Sequence, residues 1–349
     1  MLDLVRFLFA ILVLIEHLSG SDWTLHFGKY GVWGFYMISG YLMTGACRRT
    51  YGFSANGTGG YFLNRFLRIY PTYYLVVLIA VSVLYCFGGQ LSIGGWNLQV
   101  PTTPQEYVAY ILIVPWVYAP GSGLIPPQYS LGIEVIYYFV IFLILARSFR
   151  LTALITFSAV VYTLYLVCKG AGPMYRYLDP KPCVLPFAIG ALLWFLDERQ
   201  LLSRFGFRLF LGALAAFLLN LGFAALSPFD DRMMAPFYAN LLIVSLLVTG
   251  AVHSPIKHPV WKPIGKFIGK LTYPFFLIHL LAGVLVAHLL LGTKEQSWVA
   301  TLLTVPVALI LSAIIVHFVD EPLNGIRDAV KDILQRRQSP APIASSASI

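Results

Sequence analysis

Charge is scarce in this chain. Only 11% of its 349 residues are Asp, Glu, Lys or Arg, against 58% that are hydrophobic, and a mean hydropathy of +0.77 excludes a soluble globule of this length. Cysteine is scarce too. Cys47, Cys86, Cys168 and Cys183 lie in or at the ends of apolar runs without paired spacing, which argues against a disulfide framework and against a metal site. No internal repeat is evident. No small-residue cleavage site follows the first apolar run, which has the length of a span rather than of a cleaved signal. Lys and Arg are missing altogether from 88–128, a stretch rich in Gly, Pro, Gln, Thr and Trp that suits either a sugar-facing, lid-like loop or an interfacial aromatic anchor.

What remains is apolar length. Runs at roughly 4–20, 30–46, 69–87, 129–147, 150–168, 182–196, 207–226, 235–252, 271–291 and 297–319 are long enough to span a bilayer. The chain therefore reads as an all-α, polytopic membrane protein of about ten transmembrane helices. One membrane domain is expected over 1–335, and 336–349, without periodicity, reads as a disordered cytoplasmic tail.

An eleventh apolar stretch, 107–119, is short and interrupted by Pro115. Lys and Arg counts decide whether it crosses, because cytoplasmic loops carry the excess. With both termini inside and 107–119 not crossing, 17 cations fall in inner loops and 6 in outer ones; if it crossed, the counts would be 9 and 14. The stretch is therefore expected to be a re-entrant or surface helix on the outer side. The same asymmetry accounts for most of the net charge of +9, so no nucleic-acid partner is implied.

Orientation gives each intramembrane polar group a side. Arg6 and His17 share the first run, LDLVRFLFAILVLIEHL. Eleven residues at ~100° each return His17 to within ~20° of the Arg6 face, displaced by ~16 Å along the helix. Ionisable groups inside a span are functional suspects, although Arg6 snorkelling to headgroups and His17 at the opposite interface also fit. Asp3, three residues before Arg6, is placed to hold its guanidinium. Glu134 lies near the outer start of its span, about two turns after Pro126-Pro127, at a depth His17 can share. A carboxylate there could orient the imidazole or act as a structural acceptor. Arg65 and Arg68, one turn apart in RFLR, could join Arg6 in an inner cluster suited to phosphates, or simply anchor the span. His279 reads as cavity-lining or as a packing histidine. Gly31, Gly34, Ser39 and Gly40 give the second span a small-residue face for close helix packing.

Six blocks in register, LDLVRFLFAILVLIEHL, GVWGFYMISGYLMT, RFLRIYPTYYL, YSLGIEVIYYF, LTYPFFLIHL and DEP, resemble the acyltransferase-3 family of integral-membrane acyltransferases across nearly the whole chain. The resemblance implies a ten-helix fold that moves an acyl group, usually acetyl, from cytoplasmic acyl-CoA to a carbohydrate hydroxyl at the outer face of the cell membrane. The family's Arg-x10-His pattern falls on Arg6 and His17, its Arg-x-x-Arg pattern on Arg65 and Arg68, its Ser-Leu-x-x-Glu block on Ser130, Leu131 and Glu134, and its small-residue block on Ser39 and Gly40. By this reading His17 and Glu134 are catalytic and Arg6, Arg65 and Arg68 bind the donor, with Asp3, Ser39, Ser130 and His279 in support. Acyl-CoA is a cosubstrate; no permanently bound cofactor or metal is expected. Tyr129 stands where the family often has Trp, and Asp320-Glu321-Pro322 where it has Glu-Arg-Pro. The competing class is transport of a polysaccharide or lipid-linked glycan without acyl chemistry.

Overall fold

The computed structural model describes residues 1–115, 122–201, 206–228 and 232–338, with side chains to 333. Ten apolar helices coincide with the ten runs: α1 (Leu2–Leu18), α2 (Phe27–Gly45), α3 (Ala55–Cys86), α5 (Gln128–Val140), α6 (Phe149–Cys168), α8 (Val184–Glu198), α9 (Phe207–Leu226), α10 (Ala235–Val252), α11 (Trp261–Leu285) and α12 (Trp298–Ile315). Three helices lie between or after them: α4 (Pro104–Leu112), α7 (Pro173–Leu178) and α13 (Glu321–Gln338). Seven of the helices are long and apolar enough to cross a membrane by themselves. The other three apolar helices, α1, α2 and α8, have no exposed residue apart from Glu198 at the end of α8. A helix walled by protein need not reach the full ~30 Å of hydrocarbon.

The packing order follows from small residues. α2 lies at the centre, against α1, α5, α8 and α10, and α1 is held between α2 and α11. A Cβ on Gly40 would come within 2.2 Å of the Phe187 carbonyl oxygen, and one on Gly190 within 1.9 Å of that of Met37, so α2 and α8 meet backbone to backbone. On the other face of α2, Gly31 and Gly34 receive Phe9 of α1. The expected small-residue face does pack helices, except that Ser39 turns to a carboxylate instead.

Two helices begin earlier than hydropathy suggests. Ser54 caps α3 by accepting from the Gly57 amide at 3.2 Å, so Arg65 and Arg68 are helical residues rather than part of a loop. α11 likewise starts ten residues before the apolar run expected from 271.

The cation-free stretch is not wholly irregular. Gln90–Ile93 (β1) and Trp96–Gln99 (β2) form an antiparallel hairpin around Gly94, whose φ of +52° suits a residue without a Cβ, and Ser122–Gly123 (β3) adds to β2. Sequence reading offered no strand here, because four-residue strands give too short an alternation to register.

The short helix expected within 107–119 is α4. Thr103 and Glu106 close a capping box at its start, and Ile113 ends it at φ +54°. Its other end is held from outside: the hydroxyls of Tyr70, Tyr73 and Tyr74 on α3 donate to the carbonyls of Leu112 (3.2 Å), Tyr110 (2.9 Å) and Ile111 (2.6 Å). Those are carbonyls a helix cannot satisfy itself. Nine residues rise only ~14 Å, too little to cross. Residues 116–119 of the stretch, Arg204 and the tail beyond Gln338 lie outside the described residues.

Candidate active site

α1 carries His17 in its last turn and Arg6 near its start. In that last turn, His17 Nδ1 lies 2.9 Å from Nε2 of His279, which α11 brings to the same level, and the two rings meet edge to edge with centroids 5.1 Å apart and planes 22° from each other. His279 Nδ1 is in turn 2.8 Å from the Phe276 carbonyl oxygen. Trp96, at the start of β2, sets its ring 4.3 Å from that of His17, and the Gln296 amide donates to the His17 carbonyl at 2.7 Å. His279 is buried behind His17 as a packing histidine, whereas His17, Trp96 and Gln296 open on a cavity of about 420 Å³ also lined by Glu16, Lys29 and Tyr177. Lys29 and Glu16 form an ion pair on its wall, and the ammonium lies 5.8 Å over the Tyr177 ring. Glu16, on a different face of α1 from His17, thus has a cationic partner of its own.

Glu134 belongs to a neighbouring space. The hydroxyls of Ser39 and Tyr138 both donate to its Oε1, the second at 2.8 Å. The carboxylate lines a smaller cavity, about 50 Å³, together with Arg6, Tyr36, Ser39 and Tyr273. Val32, Ser130 and Phe276 line both spaces. Ser130 itself donates to the Pro127 carbonyl at 2.9 Å, and Tyr36 donates to the Ser130 carbonyl at 3.2 Å.

The expectation that Glu134 orients the His17 ring is thereby corrected: the imidazole is held by His279, and the carboxylate by α2 and its own helix. Shared depth does not make two residues lateral neighbours. α5 packs on α2, whereas the helix beside α1 at this level is α11.

At the Arg6 end, guanidinium groups gather from three helices. Arg6 Nη1 is 4.0 Å from Asp3 Oδ1, as expected. Arg68 Nη1 is 4.0 Å from Asp320 Oδ2, while Thr72 donates to the other oxygen at 2.6 Å, so Asp320 is a buried ion-pair partner. Arg65 bonds the Asn64 side chain at 2.9 Å and lies 5.9 Å over the ring of Tyr138. A fourth cation, Arg327, comes from α13 beyond the last apolar run. Asn64 donates to its carbonyl at 3.1 Å, and burial together with the Arg68 and Arg65 charges lowers its pKa to about 10.

Sequence reasoning reached Trp96 only as part of the cation-free stretch 88–128, and missed Gln296, Tyr138 and Arg327. Tyr138 could have been found, being four residues after Glu134 on the same helical face. The others carry no local signal, since each reaches its site only through the way the helices are ordered around α1.

A family model described as an acyltransferase domain matches residues 1–317. No curated protein and no solved structure matches the chain. An apolar helical bundle, whose first helix carries an arginine and a histidine towards its two ends and which that model matches over nearly its whole length, leads to one conclusion: the chain belongs to the acyltransferase-3 family and is a membrane-embedded enzyme that transfers acyl groups.

Proposed function

We propose that this acyltransferase is an O-acetyltransferase of the cell (inner) membrane, taking the acetyl group from acetyl-CoA on the cytoplasmic side and passing it to a hydroxyl of a carbohydrate, cell-surface or lipid-linked, on the outer side. The observation that carries the reading is the pair of cavities meeting at Val32, Ser130 and Phe276, with guanidiniums gathered beyond one and an imidazole in the other. The asymmetric Lys and Arg distribution supports an orientation with cytoplasmic termini and the Arg6 end inward.

In this reading Arg6, Arg65 and Arg68 hold the CoA phosphates by charge-assisted hydrogen bonds, and Asp3 steadies Arg6. The pantetheine arm enters between the helices past Ser39, Ser130 and Glu134 and brings the thioester towards His17. The Trp96-lined cavity takes the sugar. His17 either deprotonates the acceptor hydroxyl or carries the acyl group transiently. Glu134 sets its carboxyl group in the same cavity as Arg6, on the donor's route.

Purified protein in lipid nanodiscs, incubated with acetyl-labelled acetyl-CoA and candidate glycans, tests this. Label on the glycan supports the reading. Movement of glycan without label would favour a transporter, and label transfer from another acyl-CoA but not from acetyl-CoA would replace the donor.

A further inference from the structure

We propose that His279 is a positioning residue which fixes the tautomer of His17, leaving Nε2 of His17 as the nitrogen that meets the acceptor hydroxyl. The inference deepens the acyl-transfer reading above and rests on it for chemistry, but its geometric half stands apart from any substrate.

One chain of hydrogen bonds joins Phe276, His279 and His17. A backbone carbonyl only accepts, so with Phe276 O at 2.8 Å the proton of His279 must be on Nδ1. A neutral His279 then has only a lone pair on Nε2. His17 Nδ1, 2.9 Å away, must therefore be the donor. With its proton committed to Nδ1, the remaining ring nitrogen of His17 is bare.

The reverse assignment would need His279 to carry protons on both nitrogens. That imidazolium would be 0% exposed, with rings of Phe275 and Phe276 on its flanks at 6.4 and 6.2 Å. The nearest charged groups on the adjoining cavity are Lys29, itself a cation, and Glu16, whose carboxylate is already paired with Lys29. Burying a second positive charge there is opposed by desolvation and by the lysine alike.

The proton bookkeeping closes without His279 changing state. The acceptor O–H gives its proton to His17 Nε2 as its oxygen bonds to the thioester carbonyl carbon. The carbon–sulfur bond then breaks, and the leaving thiolate takes that proton from Nε2 to become the free CoA thiol. Nδ1–H stays on His17 throughout, so His279 keeps both of its hydrogen bonds from substrate to product.

Ring-¹⁵N solid-state NMR of the full chain in lipid bilayers tests the geometry without substrate, with the His17 signals assigned by their loss in His17→Gln. The expected result is a proton on Nδ1 and a bare Nε2 in the wild type, and loss of that preference in His279→Ala. In the transfer assay His279→Ala is expected to lose roughly 100-fold in kcat, within the range general base catalysis supplies, with the KM for acetyl-CoA unchanged. His279→Gln, whose amide oxygen can accept the same N–H, is expected to recover both tautomer and most of the rate. A proton on His17 Nε2 in the wild type would overturn the proposal, as would a His279→Ala enzyme that keeps the Nδ1 tautomer. If no acyl transfer is detected at all, the functional reading fails while the tautomer measurement still decides this one.

Discussion

The rings of Trp96 and His17 lie 4.3 Å apart, centroid to centroid, although one sits on a short hairpin and the other in the last turn of the first helix. The hairpin thus supplies a flat apolar wall beside the imidazole, of the kind on which the face of a sugar ring stacks. Trp96→Ala is expected to raise the acceptor KM about 5- to 10-fold, corresponding to about 1 kcal/mol of aromatic contact, and to leave CoA affinity unchanged. Steady-state kinetics at varied glycan, with calorimetric titration of CoA as control, check this.

Loss of the His17 imidazole should abolish acyl transfer. His17→Ala is expected to insert and purify like the wild type while incorporating no label into glycan. An active His17→Ala enzyme would remove His17 from the chemistry.

Glu134 accepts from two hydroxyls, and this separates its charge from its structural part. Glu134→Gln keeps the Oε1 acceptor and should stay within about 1 kcal/mol of wild-type stability while losing activity. Glu134→Leu leaves the Ser39 and Tyr138 hydroxyls without an acceptor, at about 1–3 kcal/mol each. Thermal unfolding of the two variants beside their transfer rates distinguishes the roles; equal unfolding temperatures would refute the structural part.

Arg327 lies beyond the residues matched by the family model, yet it stands beside Arg65 and Arg68. Arg65→Ala and Arg327→Ala are each expected to weaken CoA binding about 10- to 100-fold, the size of a lost charge-assisted hydrogen bond. Both should also flatten the salt dependence of binding, which calorimetry at two ionic strengths would read. An unchanged CoA affinity in Arg327→Ala would confine the donor site to the matched region.

Gly190→Ala should destabilise the bundle by about 1–3 kcal/mol or more, because the new methyl would lie 1.9 Å from a backbone carbonyl oxygen that cannot swing away. Gly212→Ala meets nothing within 4 Å and is the matched control, expected neutral or slightly stabilising. Size-exclusion profiles after stepwise heating would rank them.

On α4 the Glu106 carboxylate accepts from the Thr102 and Thr103 amides, at 2.6 and 3.1 Å, and these bonds hold its pKa below the ordinary 4.5. A carboxyl depressed by folding stabilises above its unfolded value and loses that contribution as pH falls through the folded one. Hydrogen exchange across 103–112 should therefore quicken as pH drops below 4.5, relative to Glu106→Gln measured at the same pH values. Parallel profiles for the two proteins would contradict this.

Hydropathy makes the ten apolar helices legible, and the period of α1 puts Arg6 and His17 on one face, because both features are local and repeat along the chain. The start of α3 is less legible: Arg65 and Arg68 interrupt the apolar run without interrupting the helix, which Ser54 and backbone hydrogen bonds decide. The partner of His17 is not legible at all. Glu134 and His279 are both compatible with its depth, and only the order of helices around α1 chooses between them. Arg327 is hidden for a similar reason, since it lies past the last apolar run and reaches the cluster only because α13 folds back onto α3.

Val32, Ser130 and Phe276 form the lining common to both cavities, and that boundary is made of side chains. Turning side chains about their χ angles is a local motion, whereas rocking one half of a bundle against the other is a collective one that takes microseconds to milliseconds. A boundary that yields by torsion can let the two spaces communicate while the helices around it stay where they are.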